Sequence, residues 1–306
     1  MKDIPTSVIR FYGEPKYALE VVEKKEITFI HNYLMNDPFD PYLVFETDFE
    51  KNYQALLQHV RAQHPEDIDW FSRCILESNW QRFLNEIDEF LLSLKRQLFL
   101  FSTSAEKDGV RPVDNLYMWG HYGRGHRGVA IEFNTDPLEK DVKKLHTQYT
   151  GTPINLSCWV QIDYVDDMSL ITAEMFYQFY RQEHQINSGW QQERQETELD
   201  RHYKKMEKAK SKVWEKENEW RIRWSGNDPG TNFAAADIAR LTQEQIQKWF
   251  LVKCPITQSS IKAIYLGLGL NQDIAEQIKE RTRSNFPDAR IYTAKKEHGR
   301  FGLEFQ

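Results

Sequence analysis

The chain has 306 residues, with 40 Lys and Arg against 46 Asp and Glu, and a formal net charge of −6. Hydrophobic residues make up 40% and aromatic residues 13%, so it can bury a core that a disordered chain lacks. With 14 Gly and 11 Pro it is neither collagenous nor low-complexity, and its acidic balance argues against coating nucleic acid by global charge, though not against a local basic patch.

Residues 8–12 and 26–30 are rich in β-formers and predict two strands, separated by a turn at Gly13-Glu14-Pro15 and a helix over 16–24. The loop Asn36-Asp37-Pro38-Phe39-Asp40-Pro41 is turn chemistry, because a residue before proline is pushed out of the helical region. From about 47 to 97, Leu84, Ile87, Phe90, Leu91 and Leu94 recur at helical spacing. Residues 97–103, 127–133 and 160–165 predict strands, and 167–215 reads as mainly helical and strongly polar.

The cleanest strand signal is 217–224, where Glu217, Glu219, Arg221 and Arg223 alternate with Asn218, Trp220, Ile222 and Trp224. Residues 261–266, 272–284 and 289–293 predict a strand–helix–strand unit, and 301–305 a last strand. The sum is one α+β domain over 1–306, with a mixed or antiparallel β core and helical insertions at about 47–97 and 167–215. Cys74, Cys158 and Cys254 form no CxxC pair, which gives no support to a zinc ribbon or a disulfide scaffold. The longest apolar clusters, such as Leu98-Phe99-Leu100-Phe101, fall far short of the roughly 20 residues that span a bilayer. We expect a cytoplasmic protein with no membrane partner.

Four constellations carry chemistry. Between Gly120 and Gly128 stand four glycines with His121, Tyr122, Arg124, His126 and Arg127. The block is neither GxGxxG nor a P-loop, and His121 and His126 lie off the i, i+4 helix face that metal ligands use. A ligand-binding loop and a structural turn with a packed Trp–His pair both fit it. In Glu217-x-Glu219, carboxylates at i and i+2 of a strand lie about 7 Å apart and repel unless a cation or a function holds them. Such a pair stabilises a developing cation in glycosidic chemistry; the alternative is a solvated face with cross-strand ion pairs. Ser102-Thr103-Ser104 either hydrogen-bonds a ligand or simply ends its strand. From Arg201 to Arg223, nine Lys and Arg stand against four Glu, with Tyr203, Trp214 and Trp220 interleaved. This is either a charged exposed helix or a surface on which bases stack.

These blocks resemble the family known as domain of unknown function 2971. The resemblance rests on Asn36–Asp40, on Leu116–Tyr122 followed by His126–Phe133, on Trp214-x-x-Glu217-x-Glu219-Trp220-Arg221, and on Ile261–Gly267. The first strand departs from the family's usual Tyr-Lys-Tyr-Arg, reading Arg10-Phe11-Tyr12-Gly13 instead.

A second resemblance bears on activity. Arginine on a first strand, then Ser-Thr-Ser, then Glu-x-Glu is the order of one class of ADP-ribosyltransferases. It implies NAD as substrate, Glu219 as the catalytic carboxylate facing the ribose cation, and Glu217 as the group that orients or deprotonates the acceptor. It implies further that Arg10 contacts the pyrophosphate, that Ser102 and Ser104 help hold NAD, and that Tyr12, His121 or Tyr122 packs on the nicotinamide. The acceptor would be RNA, DNA or a protein docked along the basic 201–216 helix, and the role that of a toxin or phage-defence effector with an antitoxin partner. Two rivals stand beside it. One is a non-catalytic nucleic-acid- or ligand-binding sensor; the other is a metal-dependent nuclease using His121, His126 and Glu132.

Overall fold

A computed structural model describes residues 3–35, 44–45, 49–69, 71, 82, 85, 98–151, 158–167, 170–172, 174–175, 177–179, 181–182, 195–206, 208–225 and 241–306. The strands are β1 (Ser7–Tyr12), β2 (Glu26–His31), β3 (Val44–Phe45), β4 (Leu98–Ser104), β5 (Val129–Asn134), β6 (Trp159–Gln161) and β7 (Asp163–Val165). They continue as β8 (Leu170–Ile171), β9 (Ala209–Ser211), β10 (Glu219–Ser225), β11 (Leu251–Pro255), β12 (Ile261–Leu266), β13 (Arg290–Lys296) and β14 (Leu303–Phe305). The helices used below are α1 (Pro15–Lys24), α2 (Phe49–Gln63), α3 (Leu116–His121), α4 (Thr135–Thr150), α5 (Glu198–Met206), α6 (Gln243–Phe250) and α7 (Gln272–Asn285).

The main sheet runs β11-β2-β4-β1-β5-β12-β13-β14, with β10 on β4 and β6 on β10. It is antiparallel except at β12–β13; the separate short pairs β3–β8 and β7–β9 are parallel. The class is therefore α+β with a mixed, largely antiparallel sheet.

Three amphipathic helices cover one face of it. Helix α1 starts on Pro15, which needs no N–H there, buries Ala18, Val21 and Val22, and stops where Lys25 turns left-handed at φ 55°. Helix α4 buries Leu138, Val142 and Leu145 and ends on left-handed Gly151. Helix α7 is capped by Asn271, which accepts from the N–H groups of Asp273 and Ile274, and buries Ala275 and Ile278. Their apolar stripes join Val8, Phe29, Phe101, Ile131, Phe133, Ile222 and Ile264 in one core, each such side chain contributing about 1.5–3 kcal/mol on burial. A second cluster, with Ile9, Trp119, Ala130, Ala263 and Tyr265, lies apart from it.

Most expected elements are present at nearly the expected bounds. Residues 160–165 divide into β6 and β7. The 201–216 stretch is not one helix: α5 gives way to β9 and then to a 3-10 segment over Lys212–Glu217. Helices α4 and α6 and strand β11 were not expected. The Asn36–Asp40 loop and Leu84, Ile87, Phe90, Leu91 and Leu94 lie outside the described residues, as does Cys74. Cys158 and Cys254 are free thiols, and burial pushes them up to about 11 and about 12. No helix among the described residues is long and apolar enough to cross a membrane.

Candidate active site

Strand β4 pairs with β10 along its whole length, from Leu98↔Ser225 to Ser104↔Glu219. Its other edge is shared. Strand β2 takes Phe99 and Leu100, β1 takes Ser104, and the two part between these points. A cleft of about 320 Å³ opens at the parting, lined by Ile9–Phe11 of β1, Ile30 of β2, Ser102–Ser104 of β4, and Tyr122, Lys210, Glu217 and Glu219. Arg10 reaches into the gap, donates from Nη1 to the Ser102 carbonyl (2.9 Å), and lies 4.7 Å above the Phe101 ring. Burial pulls the guanidinium down and Tyr12 and Glu219 pull it back up; it stays a cation. Ser102 Oγ is buried and has no hydrogen-bond partner of normal geometry.

The carboxylates reach the cleft by a route the strand pattern did not predict. Glu217 ends the 3-10 segment, Asn218 turns left-handed at φ 41°, and only Glu219 begins β10. The two are therefore not pleat neighbours on one strand. They converge on Lys210, whose Nζ donates to Glu217 Oε2 at 2.6 Å and to Glu219 Oε2 at 3.0 Å. Arg221 grips Glu219 with both Nε (2.6 Å) and Nη2 (2.9 Å), a bidentate pair. Tyr122 donates its hydroxyl to Glu217 Oε1, and the Glu219 N–H donates to Tyr164 Oη at 2.8 Å. The solvated strand face that was the alternative is absent: Lys210, Glu217, Glu219 and Arg221 are 5%, 4%, 3% and 0% exposed.

Electrostatics separates the carboxylates. Burial pushes Glu219 up, but Arg221 first, then Lys210 and Ser102, outweigh it and hold the carboxyl down to about 2. Burial also pushes Glu217 up and the neighbouring Glu219 charge adds to this, so it ends above the usual range despite Lys210 and Tyr122. One carboxyl is a permanent anion and the other sits nearer its proton, the division seen where two acids take two roles.

Of the expected residues, the cleft gathers Arg10, Ser102, Ser104, Tyr122, Glu217 and Glu219. Tyr12 and His121 do not line it. Tyr12 packs on the main core, with burial holding its hydroxyl up to about 12 against the pull of Arg10. His121 is exposed at the end of α3, 4.2 Å from the Tyr117 ring and edge-on to Trp214. His121, His126 and Glu132 form no metal-type cluster: Glu132 is held by Ser7, Lys262 and Tyr265, and His126 stacks on Trp119. Among the described residues only His64, Glu66 and Asp67 approach such geometry, and Arg181 already bonds both acids. The glycine block reads as structure. A Cβ on Gly128 would overlap the Tyr12 carbonyl, and one on Gly267 would lie 2.5 Å from the His126 carbonyl. Sequence reasoning missed Lys210 as a site residue; it is one cation among nine in its stretch, and only its burial marks it out.

No curated protein and no solved structure matches the chain. Residues 118–222, about a third of the chain, match the model of the family described as protein of unknown function (DUF2971), and Tyr122, Lys210, Glu217 and Glu219 fall within the matched segment.

Proposed function

We propose that the chain is an NAD-dependent ADP-ribosyltransferase. One observation carries the reading: Arg10 of β1, Ser102 and Ser104 of β4, Glu217 at the end of the 3-10 segment and Glu219 at the start of β10 meet in one cleft. They come from separate parts of the sequence, in the order this chemistry uses. At about 320 Å³ the cleft is at the small end of ligand pockets, roughly 300–1,000 Å³, and suits a ribosyl-nicotinamide group with the rest of NAD across the rim.

Arg10 keeps guanidinium N–H groups beyond the one given to Ser102, and these bind the pyrophosphate. Ser102 Oγ, buried beside the Glu219 carboxylate, meets a sugar hydroxyl. Breaking the ribose–nicotinamide bond places positive charge on the sugar, and the fixed Glu219 carboxylate stabilises that charge. Glu217, nearer its proton and held by Tyr122 and Lys210, orients the acceptor and takes its proton. The acceptor is a nucleic acid or a protein, and the biological class a toxin or phage-defence effector.

The test is release of nicotinamide and transfer of label from NAD, alone and with RNA, DNA or lysate. Glu219→Gln should lower turnover by about 10²–10³-fold, the usual loss of one charge-stabilising group. Expression should arrest growth, and the same substitution should relieve it. No nicotinamide release and no transfer under any acceptor condition overturns the reading. A second reading, a sensor that binds without turnover, is favoured by the ion pairs that already engage both carboxylates. It predicts calorimetric binding of NAD or nucleic acid with no product.

A further inference from the structure

We propose that Lys210 is the positioning residue of this cleft, its ammonium group tying Glu217 to Glu219 and holding the two like charges together. The part of this that concerns catalysis rests on the transferase reading; the part that concerns the two carboxylates does not.

Strand β9 is only three residues long, yet it is fixed in register against β7, with Lys210 opposite Tyr164. That pairing delivers the lysine stem beneath Trp214, whose ring centroid is 5.4 Å from Nζ, and points the ammonium at both carboxylates. The two acids depend on it unequally. Glu219 is also gripped by Arg221 at two atoms and feels Arg10. Glu217 faces Tyr122 and Tyr117, which carry no positive charge, and among the described residues Lys210 is the cation bonded to it. Without Lys210 the Glu217 carboxyl is buried beside the Glu219 anion with no cation bonded to it among the described residues, and it takes up a proton. Nothing in packing requires a cation here, because apolar side chains of similar volume replace buried ion pairs with little loss or some gain of stability. The arrangement makes sense as a way of holding one carboxylate ionised next to another.

The experiment follows glutamate side-chain ¹³Cδ resonances of the full chain through a pH titration. It uses wild type, Lys210→Met, Lys210→Arg, and the exposed neighbour Lys212→Met. We expect both midpoints to rise in Lys210→Met, that of Glu217 further than that of Glu219. Lys210→Arg should keep them close to wild type, and Lys212→Met should leave them unchanged. Unmoved midpoints in Lys210→Met overturn the proposal. If that variant does not fold, the wild type decides: an ammonium held by two buried carboxylates gives a slowly exchanging lysine ¹⁵N signal, and its absence overturns the proposal equally. In NAD hydrolysis, Lys210→Met should lower kcat roughly tenfold or more with KM little changed, and move the acid limb to higher pH, with rescue by Lys210→Arg. A drop in kcat with an unshifted limb means a purely structural lysine. A wild type that never cleaves NAD removes the transferase reading, while the resonances still decide what Lys210 does.

Discussion

Among the described residues Arg221 is the largest charged side chain buried without exposure, and its partner Glu219 is almost as deep. Taking one such ion out of water costs several kcal/mol, repaid here by two short parallel hydrogen bonds. Removing only the arginine strands the carboxylate. Arg221→Met should therefore destabilise the fold by about 3–5 kcal/mol in urea denaturation, and Arg221→Met with Glu219→Met should recover much of that loss. The pH dependence has a definite sign. Glu219 titrates near 2 when folded and near the ordinary value of about 4.3 when unfolded, so its contribution is complete above that value. It is lost as pH falls through the window down to about 2. Glu217, shifted the opposite way, adds stability as pH falls toward the ordinary carboxylate range, above the window in which Glu219 loses its own. In Glu217→Gln that gain should disappear while the loss at lower pH remains, read as midpoint denaturant against pH.

At the scale of elements, the glycine block joins the strands. Gly128 precedes β5 and lies against the carbonyl that ends β1, while Gly267 follows β12 and donates its N–H to Gly128 O at 3.0 Å. Three chain ends pass at backbone contact there, and a methyl group does not fit. Gly128→Ala should cost about 1–3 kcal/mol, as overpacking does, visible as a lower Tm, whereas Gly120→Ala, with open space at its Cβ, should cost nothing similar.

The same junction shows what the sequence reveals. Strands β1, β4, β5 and β12 were readable because each is a compact run of β-branched and aromatic residues bounded by turn chemistry. Helix α4 was not, since Pro137 in its first turn reads as a breaker although a first turn tolerates it. The residue identities of the cleft were legible, but its shape was not. Alternation from 217 to 224 implies a continuous strand, and left-handed Asn218 breaks that period where the carboxylates turn inward. Burial inverted the rest: a nominally solvated run of Lys, Glu and Arg became the most enclosed polar cluster of the cleft.

For the whole molecule, the distribution of the cleft over the chain has a consequence. Residues 118–222 contain β5 and only the first four residues of β10, Glu219–Ile222, but β5 pairs with β1 and β12, and β10 pairs with β4, all outside that range. Arg10, Ser102 and Ser104 lie outside it too, so the matched segment holds the acids and Lys210 without the groups that face them. Cut at those bounds, β5 loses both ladder partners and β10, shortened at Ile222, keeps only the three-residue β6. The main core also loses α1 and α7, with Ala18, Val21, Val22, Ala275 and Ile278. Two unpaired edges and half a core do not outweigh the chain entropy of ordering a segment of that length, about 1–2 kcal/mol per residue for the backbone alone. The isolated segment 118–222 should therefore show no cooperative thermal transition and rapid proteolysis, whereas the full chain melts cooperatively. A segment that folds on its own would mean that the cleft was assembled by later additions around an independent unit, and that β1 and β4 are dispensable to the geometry of Glu217 and Glu219.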